Sequence, residues 1–295
     1  MKYTLAEFLK DYPNDAACLD KVFKLRFGDK KRTCESCGNE TEFRRVVTRR
    51  SYQCRLCYHQ IYPCAKTPFE KTRTPLNYWF YVMYLMTTTR NGVASKEVQR
   101  AIGVTYKTAH KMTTQIRKLM TEYPNPPKLK GHVEIDETYV STGKKNGVEV
   151  GRGALNKKPV FAMVERMGMV RAKVMDDIKM KITHPYIEAN VEKDSQISTD
   201  EFPLYTNLKK LGYNNHGVIK HASEQYRHGS ISTNTVEGFF SQLKRMVFGT
   251  HIHVSEQHLQ KYVDEAVFRY NHRFKDVDMF GSLVVRITDY IENNQ

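Results

Sequence analysis

A chain of 295 residues, 40% hydrophobic and 27% charged, has enough apolar material for two domains and too ordinary a balance for extended disorder. Its formal net charge of +15 favours a polyanionic partner, nucleic acid being the commonest, over an acidic or neutral one. No apolar run approaches the roughly 20 residues needed to cross a bilayer, and the opening fifteen residues lack the apolar core of an export signal. The expected address is therefore the cytoplasm, on the nucleoid, with no membrane partner.

Residues 1–30 read as a short amphipathic helical lead, with Leu5, Phe8 and Leu9 on one side. Residues 31–68 hold Cys34-Glu-Ser-Cys37 and Cys54-Arg-Leu-Cys57, with sixteen residues between the pairs. Without an export signal such pairs favour metal over disulfides. Each pair sits in a tight turn that can point two thiolates at one ion, and four thiolates complete the closed tetrahedral shell of a structural Zn²⁺. One structural Zn²⁺ on Cys34, Cys37, Cys54 and Cys57 is expected, with a basic hairpin from Thr41 to Tyr52 between the pairs. Cys18 and Cys64 read as small buried residues. His59 lies near, but the cysteines already fill the shell.

Residues 69–124 are helical in texture. Within them, Ser95 to Arg117 follows the grammar of a helix-turn-helix. Ser95 caps a first helix with Val98, Ala101 and Ile102 on its apolar face, Gly103 permits the turn, and Thr105 caps the second. Ala109, Met112 and Ile116 face inward, leaving Tyr106, Lys107, His110 and Lys111 for DNA, as a recognition helix offers its first turns to base edges in the major groove. An ordinary helical hairpin has the same pattern. Residues 125–131, inside the proline-rich stretch from Tyr123 to Gly131, form a linker, and 132–295 form the main domain.

In that domain strands are expected at 132–140, 159–164 and 170–175, the last two flanking a turn at Met167-Gly168, with a glycine- and lysine-rich loop over 143–158. A helix over 184–192, a strand over 195–200, a helix at 202–211 and a short strand near 217–221 follow. A long helix begins near Thr233, and a last one runs from Ser255 to about Phe274. On the first strand, alternation puts Val133 and Ile135 on one face, Glu134 and Asp136 on the other. Asp200 ends the fourth strand. Glu237 lies on the Thr233 helix, with Asn234 one turn before it and Lys244 two turns after it, on a shared face from which Lys244, beside Arg245, reaches phosphate. Phosphodiester cleavage and transfer need an activated hydroxyl and a stabilised leaving oxygen. Two Mg²⁺ ions about 4 Å apart supply both, and such hard ions demand carboxylate oxygens. Each acid alone is ordinary; three strands, a helix and a fourth strand form the ribonuclease H-like succession.

Glu134-Ile-Asp-Glu-Thr-Tyr139, Thr199-Asp200 and Thr233-Asn-Thr-Val-Glu-Gly-Phe-Phe-Ser-Gln-Leu-Lys-Arg245 resemble the motifs of bacterial insertion-sequence DDE transposases. The subgroup is the ISXO2-like lineage, which carries an N-terminal zinc ribbon and is related to Merlin elements. The stretches from His253 to Tyr262 and from Phe268 to Arg273 resemble its C-terminal signature. The resemblance covers nearly the whole chain from the first cysteine pair. It implies an α/β fold: a ribonuclease H-like domain, with a mixed sheet and flanking helices, behind a zinc ribbon and a helix-turn-helix. Asp136, Asp200 and Glu237 would bind two Mg²⁺ (or Mn²⁺) ions, and the thirty-six residues between Asp200 and Glu237 suit such enzymes. Some relatives use Asn as the third residue, so Asn234 stays open as the alternative. The implied activity is binding of double-stranded element ends, nicking by water, and joining of the freed 3′-hydroxyl to target DNA by at least a homodimer.

Two other readings use the same residues. His251-Ile-His253 with Tyr262 matches the metal motif and nucleophile of single-strand DNA nickases. A transcription regulator built from ribbon and helix-turn-helix leaves the long region after the linker without a purpose. His221, His228, His258 and His272 read as packing or phosphate-facing groups.

Overall fold

The computed structural model describes residues 3–122, 126–142, 157–219, 231–252, 254–274 and 277–292. The chain forms two units, Met1–Met120 joined by Lys275–Gln295, and Thr121–Phe274.

In the first unit, α1 (Leu5–Asp11) opens on a capping box: Thr4 accepts the Glu7 N–H, and Glu7 takes the Thr4 N–H at 2.7 Å. Asn14 caps α2 (Asp15–Phe27). The expected apolar side of the lead holds only at Phe8; Leu5 and Leu9 are exposed, because Phe8 alone points at the aromatic side chains of Tyr12, Tyr81 and Tyr84. Strands β1 (Lys31–Thr33), β2 (Glu40–Val46), β3 (Ser51–Cys54) and β4 (Gln60–Ile61) form an antiparallel sheet in that order. Next come α3 (Leu76–Thr88), α4 (Ser95–Ile102) and α5 (Tyr106–Leu119).

The first turn of α3 is held from a distance. Asp15 Oδ1 accepts the N–H groups of Leu76 and Asn77, while Oδ2 pairs with Arg50 Nη2 at 2.9 Å. Helix α4 ends at Gly103, whose φ of 66° suits glycine, and Thr105 caps α5 by accepting the Thr108 N–H at 3.2 Å. The cap of α4 is Ala94 rather than Ser95. The Ser95 hydroxyl instead meets Thr113 Oγ1 at 2.9 Å, tying α4 to α5. Val98 is fully buried between the helices, whereas Ala101 is exposed.

The second unit is built on β5 (His132–Ser141), β6 (Lys157–Glu165), β7 (Val170–Val174), α6 (Met180–Asn190), β8 (Gln196–Thr199), β9 (His216–Val218), α7 (Asn234–Lys244) and α8 (Glu256–Asn271). The sheet order is β7-β6-β5-β8-β9. β5 to β7 are antiparallel neighbours, β8 adds to β5 in parallel, and β9 adds to β8 in parallel. This is the ribonuclease H-like order, with the first strand central. Alternation along β5 divides the core: Val140 joins Val160, Ala162 and Val164 under α7 and α8, and Val133 and Ile135 join Phe161, Met163 and Ile187 on the α6 side.

Residues 202–211 form two short 3₁₀ turns, Pro203–Tyr205 and Lys209–Leu211, in place of the expected helix. Leu204, Tyr205, Leu208 and Tyr213 all enter one core. One helix face carries nearly the same spacing, so periodicity alone does not separate the two. Helix α7 runs on into a π-helical turn, Arg245–Thr250.

The chain then returns to the first unit. Helix α9 (Met279–Glu292) lies beyond the last expected helix and inside the range 132–295 assigned to the main domain, yet it packs on α2, α3 and α5. The Phe280 ring stacks on Tyr3 at 5.0 Å and meets Phe8 and Tyr12 edge-on. Arg286 donates to the Leu119 and Met120 carbonyls at the end of α5. Phe280, Leu283, Val284, Ile287 and Ile291 are buried at helical spacing.

Candidate active site

The four cysteines of the first unit converge. Their sulfurs all lie within 4.8 Å of one another, with Cys34 and Cys57 at 3.7 Å and Cys37 and Cys54 at 3.9 Å. A tetrahedral shell with Zn–S bonds of about 2.3 Å separates its sulfurs by about 3.8 Å, so the donors fit Zn²⁺ in both kind and spacing. Both pairs use one turn: Gly38 N–H donates to the Cys34 carbonyl and Tyr58 N–H to that of Cys54, with Gly38 and Tyr58 at φ 69° and 61°. Removal from water disfavours the Cys54 thiolate, but the Cys57 and Leu56 N–H groups and the adjoining thiols reverse this and lower its pKa to about 6. Burial pushes Cys18 up to about 12 and Cys64 up to about 11, as inert core thiols.

On α5, Ala109, Met112 and Ile116 are buried, while Tyr106, Lys107 and Lys111 are exposed and His110 is half-buried. The His110 ring lies 6.0 Å from Tyr106. Lys96 of α4 holds its ammonium 4.9 Å from the Tyr106 ring centre, adding a cation that the sequence analysis missed.

In the second unit Asp136 lies on the central strand, and its Oδ1 accepts the Glu137 N–H at 2.8 Å. Asp200 follows directly on β8, the parallel neighbour of β5, and accepts the Phe202 N–H at 3.0 Å. Glu237 stands on the first turn of α7 and accepts the Thr233 hydroxyl at 2.7 Å. Burial, and then the charges of Glu137, Asp200 and Glu237, push the Asp136 carboxyl up to about 7. The three acids are thus within electrostatic reach, and a cluster of mutually repelling hard oxygens suits a divalent cation. Among the described residues, only the cysteines bring three or more candidate ligand atoms within 4.8 Å; the carboxylates stand wider apart. Asn234, the first residue of α7, is exposed, Lys244 is half-buried, and Arg245 is exposed.

Two further acids of β5 belong to this region. Glu137, on the opposite face from Asp136, accepts the Tyr205 hydroxyl at 2.6 Å, tying the turn after Asp200 to the central strand. Burial raises its pKa. Glu134 is fully buried against the start of α7. The run Glu134-Ile-Asp-Glu137 carried the only signal for either.

His251 follows the π-helical turn instead of sitting in a strand, and its ring packs edge-on against Tyr262 at 4.7 Å. His253, His221 and His228 lie outside the described residues. His272 Nδ1 pairs with the Phe268 carbonyl at 2.7 Å, and His258 Nδ1 faces Lys261 Nζ at 3.4 Å.

An ISXO2-like transposase domain matches residues 128–271, and a transposase zinc-ribbon domain matches residues 13–60. The chain therefore carries an ISXO2-like transposase domain behind a transposase zinc ribbon. Asp136, Asp200 and Glu237 all fall inside the transposase domain, and α9 falls outside it. An uncharacterized protein in transposable element ISH50 of Halobacterium salinarum is 28% identical, over 78% of this chain and 82% of the relative. A chain of the simian T-cell lymphotropic virus intasome in complex with PP2A regulatory subunit B56 gamma aligns at 13% identity and a TM-score of 0.34, over 65% of this chain and 70% of that one. Among the described residues, no helix is long and apolar enough to cross a membrane.

Proposed function

We propose that this chain binds double-stranded element ends, nicks them, and joins the freed 3′-hydroxyl to target DNA. The observation that carries the reading is the placement of Asp136 on the central strand, Asp200 at the end of its parallel neighbour β8 and Glu237 on the first turn of α7, near enough for the charges of Asp200 and Glu237 to add to burial in raising Asp136. These carboxylates would hold two Mg²⁺ (or Mn²⁺) ions. Bound there, such ions activate the attacking oxygen and stabilise charge on the phosphate and the leaving oxygen.

The protein's own groups do the rest. Thr233 orients Glu237 through its hydroxyl, while Lys244 and Arg245, at the end of the same helix, contact phosphate. Glu237 takes the third ligand position rather than Asn234, because charge dominates the binding of a hard, strongly hydrated ion. Asn234 contacts DNA. The zinc ribbon and α4–α5, as a helix-turn-helix, grip the element end through Tyr106, Lys107, His110 and Lys111, with Lys96 beside them. A homodimer on the nucleoid brings two ends together.

Incubation of the purified protein with its own flanking DNA and Mg²⁺ tests the reading. Nicked ends and joined products are expected, and both should vanish in Asp136→Asn, Asp200→Asn and Glu237→Gln while end binding persists. An active Glu237→Gln beside a dead Asn234→Ala would move the ligand role to Asn234. Tight, specific end binding with no cleavage under any divalent ion would leave a regulator.

A further inference from the structure

Helix α7 begins without a cap of its own. Thr233 occupies the capping position, yet its side chain makes no capping bond; its hydroxyl is turned to Glu237. The N–H groups that a cap would serve belong to the second and third helical residues, Thr235 and Val236. Both donate to Glu134 Oε2, at 2.7 and 3.1 Å. Glu134 Oε1 accepts Arg166 Nε at 2.6 Å, the Thr235 hydroxyl at 3.0 Å and the Ser232 hydroxyl at 3.2 Å. Arg166 also reaches the Ser232 carbonyl at 3.3 Å. A carboxylate with 0% exposure thus receives five donors, from the helix start, the residue before its cap and the turn after β6. Its negative charge faces the positive end of the helix dipole.

We propose that Glu134 is a positioning residue for the acid cluster: from the central strand it fixes the rotation and height of α7, and so the place of Glu237 opposite Asp136. Glu134 and Asp136 are two apart on one face of β5. The same strand that carries the first acid therefore clamps the helix carrying the third. Capping from the strand also leaves Thr233 free to orient Glu237. The proposal rests on the reading of Asp136, Asp200 and Glu237 as ligands of divalent ions.

Mn²⁺ titration of the full-length, zinc-loaded protein, with free Mn²⁺ followed by electron paramagnetic resonance, separates the two. Asp136→Asn and Glu237→Gln should lose Mn²⁺ binding. Glu134→Gln keeps an oxygen for the two N–H groups but sets an amide NH₂ against Arg166. It should weaken Mn²⁺ about tenfold or more, the usual cost of disturbing a group that orients a ligand, with zinc content unchanged. Adding Arg166→Met removes the opposed donor and should restore much of the affinity, a recovery that a general loss of stability would not show. Should Glu134→Gln fail to melt cooperatively, Thr235→Val, which deletes one of the hydroxyl donors to Glu134, carries the comparison; wild-type Mn²⁺ affinity there would overturn the proposal. Wild-type affinity in a folded Glu134→Gln would also overturn it, provided Asp136→Asn and Glu237→Gln lose binding. If those two keep it, the ligand reading itself falls.

Discussion

Two helices in this molecule start on a carboxylate borrowed from another element. In the first unit Asp15 of α2 serves the opening N–H groups of α3 and pairs with Arg50; in the second, Glu134 of β5 serves those of α7 and pairs with Arg166. The geometry is alike and the surroundings differ. The Asp15 and Arg50 side chains keep 35% and 29% of their exposure, so water stands ready to replace either partner. Glu134 keeps none and Arg166 keeps 26%. Removing one member of a buried pair strands the other, whereas a half-exposed pair relaxes into solvent. Water can therefore replace the first clamp but not the second.

The lone tryptophan, Trp79, is buried in α3 of the first unit, so its fluorescence follows that unit while far-ultraviolet circular dichroism follows both. The largest effect should come from zinc. Chelation, or Cys34→Ser with Cys54→Ser, should dismantle the ribbon that carries Arg50 and lower the Trp79 transition, leaving the remaining dichroism transition in place. A shift of both transitions together would show that the units do not unfold apart.

Glu134→Ala comes next. It should cost about 3–5 kcal/mol in the second unit, the range for breaking a buried pair, and leave the Trp79 transition where it was. Asp15→Asn should cost about 1 kcal/mol, the typical worth of a helix cap, and only in the Trp79 transition. Equal costs for the two substitutions would erase the contrast drawn from exposure.

Between those two costs in size falls a pH slope confined to the second unit. Burial and then the charges of Glu137, Asp200 and Glu237 raise Asp136 to about 7 in the fold, against about 4 in an unfolded chain. The native state therefore binds more protons between these values, and stability falls as pH rises from about 4 to about 7. Burial raises Glu137 and Asp264 in the same direction. Melts at about pH 5 and about pH 7.5 without added Mg²⁺ should show this loss, Asp136→Asn should shrink it, and Mg²⁺ should offset it at the higher pH. A slope unchanged by Asp136→Asn would place the proton elsewhere.

What could be read in advance follows the range of the interactions. Four cysteines in two tight turns are local chemistry, so spacing alone specified the ribbon. The two faces of β5 were legible because strand alternation needs no partner. Glu134 was not, since a polar residue on an alternating strand reads the same whether it meets water or the start of a helix about a hundred residues later. Ser95 failed as a cap for a similar reason: Thr113, eighteen positions on, took its hydroxyl. The helical spacing of α9 is plain in Phe280, Leu283, Val284 and Ile287, but that spacing does not name the surface it covers. The turns at Pro203–Tyr205 and Lys209–Leu211 share their apolar spacing with a helix, and only the fold distinguishes them.

The return of α9 to the first unit also sets an order of events during synthesis. The rings of Tyr3, Phe8 and Tyr12 wait for Phe280, which leaves the ribosome only after the whole transposase domain has been made. The entropy of closing so long a loop falls sharply if that domain folds first and brings its two ends to a fixed spacing. A translation product that stops inside the domain would carry an unfinished first unit. It would not leave behind a complete first unit.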